Sequence, residues 1–102
     1  MNWKRKTDAQ ILQELGIRLK EKRQQKRYTQ GDLAQKAGIS TNTLQKIEYG
    51  QNPTMASFIQ VLRALDEMDH LEQFLPPVQI SPMDMLLNEE KTVYRIRKPK
   101  KS

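Results

Sequence analysis

An all-α domain of five helices, followed by a short extension of different character, is what this sequence predicts. Apolar residues recur at helical spacing through the first three quarters of the chain. Small polar residues stand where helix starts need caps, and Gly or Pro closes most segments after a few residues. Five helices so tightly connected within about 70 residues leave room for one core. The expected organisation is a basic arm at residues 1–8, a domain at 9–77 and an extension at 78–102.

Thr7 and Asp8 can cap a first helix over Ala9–Arg27, whose stripe of Ile11, Leu15 and Leu19 runs on to Arg23, a charge where the next core residue should fall. Thr29 caps a second helix, with Asp32 three residues on in a capping-box arrangement. Leu33, Ala34 and Ala37 give that helix a small inner face, and Gly38 stands where a left-handed residue is wanted. Ser40 caps a third helix, Thr41–Tyr49, with Leu44 and Ile47 inward. Gly50 ends it and Asn52-Pro53 makes the turn. Thr54 caps a fourth helix with Met55, Phe58, Ile59, Leu62 and Leu65 on one face. A shorter fifth helix, Asp69–Leu75, presents Leu71, Phe74 and Leu75 before Pro76-Pro77 break it.

Beyond Pro77 the pattern changes. Ser81-Pro82 predicts one or two helical turns over Met83–Leu87. Thr92–Arg97 alternates in the β sense, with Tyr94 and Ile96 on one side. A lone strand of that length does not stand by itself in water, so it pairs with another chain or stays unpaired and unstructured.

Charge is distributed unevenly within the net +6. Residues 1–27 hold nine Lys/Arg against three acids. Residues 66–90 hold seven acids and no Lys or Arg, and residues 91–102 hold six basic residues and no acid. Such a division fits one polyanion-facing side and a second surface with a different partner. Absence of cysteine removes disulfides, thiolate metal sites and thiol nucleophiles. A single histidine, His70, speaks against His-based triads and metal clusters. No Gly-rich phosphate loop is present, so neither catalysis nor a cofactor is expected. No apolar run is long enough for a membrane span or a signal-peptide core, and a cytoplasmic, nucleoid-associated protein is expected.

The second and third helices, joined through Ala37-Gly38-Ile39-Ser40, have the helix-turn-helix layout. An ordinary αα-corner wants the same small and apolar residues, so layout alone does not choose. The outward positions of the third helix tilt the balance: Thr41, Asn42, Thr43, Gln45 and Lys46 carry amides, hydroxyls and an ammonium, with no acid among them. These groups suit major-groove base edges, where Asn or Gln pairs with adenine and Lys with guanine. Phosphate contacts are expected from Gln30, Gln51, Asn52 and Thr54, although the last three serve equally as turn and cap residues.

Gln30 to Gly50, with Leu33-Ala34, Gly38-Ile39-Ser40 and Leu44 to Ile47-Glu48-Tyr49-Gly50, resembles the Cro/C1-type (XRE) helix-turn-helix proteins. The resemblance covers roughly residues 12–75. It implies a five-helix, lambda-repressor-like domain that binds double-stranded, pseudo-palindromic operator DNA as a homodimer, with the third helix in the major groove. It puts Thr41, Asn42 and Lys46 in base-contacting slots, with Gln45 and Thr43 beside them. Gln30 falls in the slot that holds a phosphate and braces the recognition helix. Arg23 and Glu48 fall in the positions of a structural ion pair. Lys22, Arg27-Tyr28 and Gly31 depart from the usual pattern.

Phe74 to Pro77 followed by Ser81 to Leu87 and a basic tail is similar to HipB-type regulators, which accompany HipA-type Ser/Thr kinase toxins as antitoxin and autorepressor. Under that likeness Met83, Met85 and Leu86 are apolar anchors for the kinase, unless they pack back on the fourth and fifth helices. Leu71, Phe74, Leu75, Tyr94 and Ile96 are the expected dimer or partner interface. The competing expectation is a protein–protein adapter, or a toxin-neutralising inhibitor, with only non-specific DNA binding.

Overall fold

The computed structural model describes residues 1–79 and 81–83. A 3-10 turn at Trp3–Arg5 precedes α1 (Asp8–Gln25), α2 (Gln30–Ala37), α3 (Thr41–Glu48) and α4 (Met55–Ala64). A second 3-10 turn, Met68–His70, leads directly into a single-turn α5, Leu71–Phe74.

The four longer helices begin at the residues whose chemistry demands it. Thr7 Oγ1 accepts from Gln10 N–H at 3.1 Å while the Gln10 amide oxygen accepts from Thr7 N–H at 2.9 Å. Thr29 and Asp32 make the same reciprocal box. Ser40 and Thr54 each accept from the backbone N–H three residues on. Each such cap satisfies a donor that the first turn would leave orphaned, and its loss to Ala costs about 1 kcal/mol.

The same four helices close alike. One N–H reaches back five residues and its predecessor three, around a left-handed residue: Arg27, Gly38, Gly50 and Asp66. The first helix therefore stops at Gln25, two residues short of the expected end, because Arg27 turns left-handed at φ 64°. An L-residue resists that region on steric grounds. Arg27→Gly is expected to stabilise the domain by about 0.5–1 kcal/mol, once glycine's greater freedom in the unfolded chain is set against the relieved strain. Thermal unfolding checks this through a midpoint raised by a few degrees.

Leu33, Leu44, Val61 and Leu65 are fully enclosed, with Leu19, Ala34, Ile47 and Ala64 around them. Helix α2 packs on both α3 and α4, and α1 packs on α3. Helix α4 is rotated from the face its sequence suggests: Ser57, Val61, Leu62, Ala64 and Leu65 are buried, Phe58 and Ile59 are half-buried, and Met55 is exposed. Two of these, Met55 and Phe58, line a groove beside α1 together with Phe74, facing Leu12 and Leu15. The fifth helix is shorter than expected. Its first turn is 3-10 and has no side-chain cap, and Leu75, preceding Pro76, leaves the helical region as the proline ring requires.

One departure from the family pattern finds its reason here, and so does the placing of the basic arm. Lys22 reaches Glu67 Oε1 at 3.4 Å, tying α1 to the segment before α5, where His70 also meets that carboxylate at 2.9 Å. Trp3 lies under the Arg18 guanidinium, 5.1 Å from ring centre to Cζ, and Arg18 is held by Glu14 one turn back. The basic arm thus has a fixed attachment to α1. In the extension, Pro82 and Met83 are helical; the rest of that expected helix and the expected strand with Tyr94 and Ile96 lie outside the described residues.

Candidate nucleic-acid interface

Helix α3 has two faces. Leu44, Ile47 and Glu48 are buried, whereas Thr41, Asn42 and Lys46 are exposed and Gln45 is half-buried. At 100° per residue, Thr41, Gln45, Asn42 and Lys46 share an arc of about 140° directed away from the core side. The described structure leaves this ridge open, and no acidic side chain belongs to it. Thr43 stands apart, half-buried on the flank, with its hydroxyl accepting from Ser40 Oγ at 2.8 Å.

Beneath the ridge lies a buried polar cluster. Arg23 Nε donates to Glu48 Oε2 at 2.7 Å and its Nη2 donates to Glu48 Oε1 at 3.2 Å, a two-pronged pair between α1 and α3. A third guanidinium nitrogen, Nη1, donates to the Tyr28 carbonyl at 2.8 Å, fastening the α1–α2 connection to the same group. Their side chains are only 9% and 1% exposed, and a charge so buried is tolerable because each is matched by hydrogen bonds. The arginine in the apolar stripe and the acid at the end of α3 are the pair that the resemblance implies. The cation also offsets the carboxylate's unfavourable place at a helix C-terminus.

Gln30, the first residue of α2, extends the cluster. Its Nε2 donates to Glu48 Oε1 at 3.0 Å, and its Oε1 accepts from Gln45 Nε2 at 3.1 Å. The amide expected to grip a phosphate is thus engaged with the protein on both sides. Among the other expected phosphate contacts, Gln51 and Asn52 are exposed, Asn52 in the left-handed region at φ 26°. Thr54 uses its side chain to cap α4.

Two glycines set the position of α3: Gly16, which the sequence did not single out, and Gly50, read there only as the residue that ends the helix. A Cβ on Gly16 of α1 would lie 2.5 Å from the Glu48 carbonyl oxygen and 2.7 Å from that of Ile47. A Cβ on Gly50 would meet Gln13 backbone atoms at 2.8 Å, and Gly50 is also left-handed at φ 79°. A glycine inside a helix reads as a weakness in sequence; only the crossing of α1 and α3 reveals its use. Tyr49, given no role by the sequence beyond ending α3, is 63% exposed just after the ridge.

With that geometry in place, comparison with family models matches residues 19–71 to a helix-turn-helix family. The chain belongs to the Cro/C1-type helix-turn-helix family. That domain is a DNA-binding transcription-regulator domain, and here the match spans both helices of the motif and all the residues of the buried cluster. No curated protein matches this helix-turn-helix chain. Among the described residues no helix is long and apolar enough to cross a membrane, and no group of three or more His, Cys, Asp or Glu could hold a metal ion.

Of the expected interface residues that are described, Leu71 is half-buried against the core, while Phe74 and Leu75 are 62% and 80% exposed. Val78 and Met83 are also exposed.

Proposed function

We propose that this helix-turn-helix protein is a repressor that reads a pseudo-palindromic operator as a homodimer. One observation carries the reading: an open, acid-free ridge of hydroxyl, amide and ammonium groups opposite the buried face of α3. Thr41, Asn42, Gln45 and Lys46 supply base contacts, with Thr43 at the margin, while Gln51, Asn52, the start of α4 at Thr54 and the second Nε2 hydrogen of Gln30, which its bond to Glu48 leaves over, face phosphates. Two recognition helices enter successive major grooves about 34 Å apart, or a multiple of that distance. Binding operates without cofactor or catalysis, in the cytoplasm with the DNA.

Selection from a random duplex library at two salt concentrations tests this. An enriched palindrome is expected; weak, sequence-blind binding that vanishes at higher salt would sink the reading and favour the adapter. Asn42→Ala is expected to cost about 1–3 kcal/mol of operator affinity and to relax one position in each half-site. Unchanged base preferences would remove Asn42 from the base contacts.

The exposed series Phe74, Leu75, Val78 and Met83 supports an apolar protein contact at the end of the domain. In this reading Phe74 and Leu75, with Leu71 behind them, join two copies, and the extension with Tyr94 and Ile96 engages a HipA-type kinase as its antitoxin. Sedimentation of a chain ending at Pro77 separates the two surfaces. A retained dimer assigns pairing to α5, and a monomer assigns it to the extension. A genome without a kinase-like reading frame beside this one would count against the antitoxin role.

A further inference from the structure

We infer that Gln45 is a specificity-determining residue tuned to adenine, because a one-way chain of hydrogen bonds from Arg23 through Glu48 and Gln30 fixes which end of its amide faces the DNA. The inference rests on the operator-reading function proposed above and gives one of its contacts a chemical direction.

The direction begins at Glu48. Its carboxylate is buried against Arg23 and can only accept. Gln30 must therefore turn its Nε2 toward Glu48, which leaves Oε1 as the only end available to Gln45. Gln45 must in turn donate from Nε2. Reversing the Gln30 amide would set its oxygen against a carboxylate oxygen and its nitrogen against the nitrogen of Gln45. Reversing Gln45 alone would set two amide oxygens together. An amide orientation that is ordinarily ambiguous is thus decided by the acceptor-only group at the far end of the chain.

Gln45 consequently approaches the groove with one N–H spent. Its Oε1 has no hydrogen-bond partner among the described residues, and one N–H remains. An outward oxygen and a single donor match the N6–H and N7 of adenine. Guanine offers O6 and N7, both acceptors, and sets O6 against the amide oxygen. Asn42 and Lys46 have no comparable anchor among the described hydrogen bonds, so the bias belongs to Gln45. Gln30 is the positioning residue: it acts on the base through Gln45.

The test uses the full chain, selection of bound duplexes, and titration of duplexes changed at single base pairs. One position per half-site should favour adenine over guanine by about 5- to 150-fold. Gln45→Ala should level that position. Gln45→Lys, a donor only, should reverse it toward guanine. Gln30→Ala should relax the same position by at least about 5-fold and leave the ranking elsewhere intact; Glu48 keeps both bonds from Arg23 in that variant, so no buried charge is orphaned. If Gln30→Ala weakens every duplex alike with preferences unchanged, Gln30 only anchors a phosphate and the relay is overturned while operator reading stands. An enriched motif indifferent to Gln45→Ala overturns it too. A wild-type chain that enriches no sequence overturns the operator reading itself, and the relay falls with it.

Discussion

Glu48→Ala is expected to remove about 3–5 kcal/mol of folding stability, the largest loss from any single side chain outside the apolar core. The reason is what remains behind. Arg23 would stay enclosed by α1, α3 and the α1–α2 connection, with only the Tyr28 carbonyl as partner. An uncompensated charge in that place costs far more than the intact pair contributes over an apolar substitute. Small domains hold about 5–15 kcal/mol in all, so this one change spends a large part of the margin. The companion double variant, Arg23→Met with Glu48→Leu, should recover most of the loss, because no charge is then left buried. Urea unfolding of the single and double variants at matched slopes distinguishes the cases. A double variant no more stable than Glu48→Ala would show that the deficit comes from lost packing rather than from the orphaned guanidinium. The double variant should still bind DNA less selectively, since Gln30 would have lost its acceptor.

Gly16→Ala is expected to destabilise by about 1–3 kcal/mol, the ordinary cost of forcing atoms into a filled space. The sign is the informative part. In an exposed helix interior this substitution stabilises by roughly 1 kcal/mol through propensity. Here the added methyl meets backbone oxygens of Ile47 and Glu48, which have no rotamer by which to move aside. Helix α1 must back away from α3, and Arg23, two turns further along, is carried with it. Thermal unfolding together with operator binding would record both effects. A Gly16→Ala protein as stable as the parent would mean that the α1–α3 crossing adjusts freely.

Much of the fold could be read in the chain because its signals are local. Thr7, Thr29, Ser40 and Thr54 each cap a helix with their own hydroxyl, a bond that spans three residues and requires no tertiary knowledge. Leu44 and Ile47 were legible for the same reason, since one turn of α3 sets their spacing. What escaped depends on neighbours distant in sequence. The face of α4 was misplaced toward Met55 because that helix carries apolar residues on two sides, and only contact with α2 shows which side is core. Gly16 gave no signal at all. The Arg23–Glu48 pair, separated by 25 positions, emerged from family resemblance, while the bond from Gln45 to Gln30 was invisible to spacing because each side chain alone suits solvent equally well.

The division of α3 into supported and unsupported side chains has an evolutionary consequence. Thr41, Asn42 and Lys46 hold up nothing beneath them, so exchanging them should redirect the protein to new operators at little expense in stability. Gln45 is tethered through Gln30 to the ion pair, and its replacement would disturb an interior arrangement as well as the proposed base contact. Retargeting should therefore proceed first through the three free positions, with the Gln45 base pair the slowest part of the operator to drift.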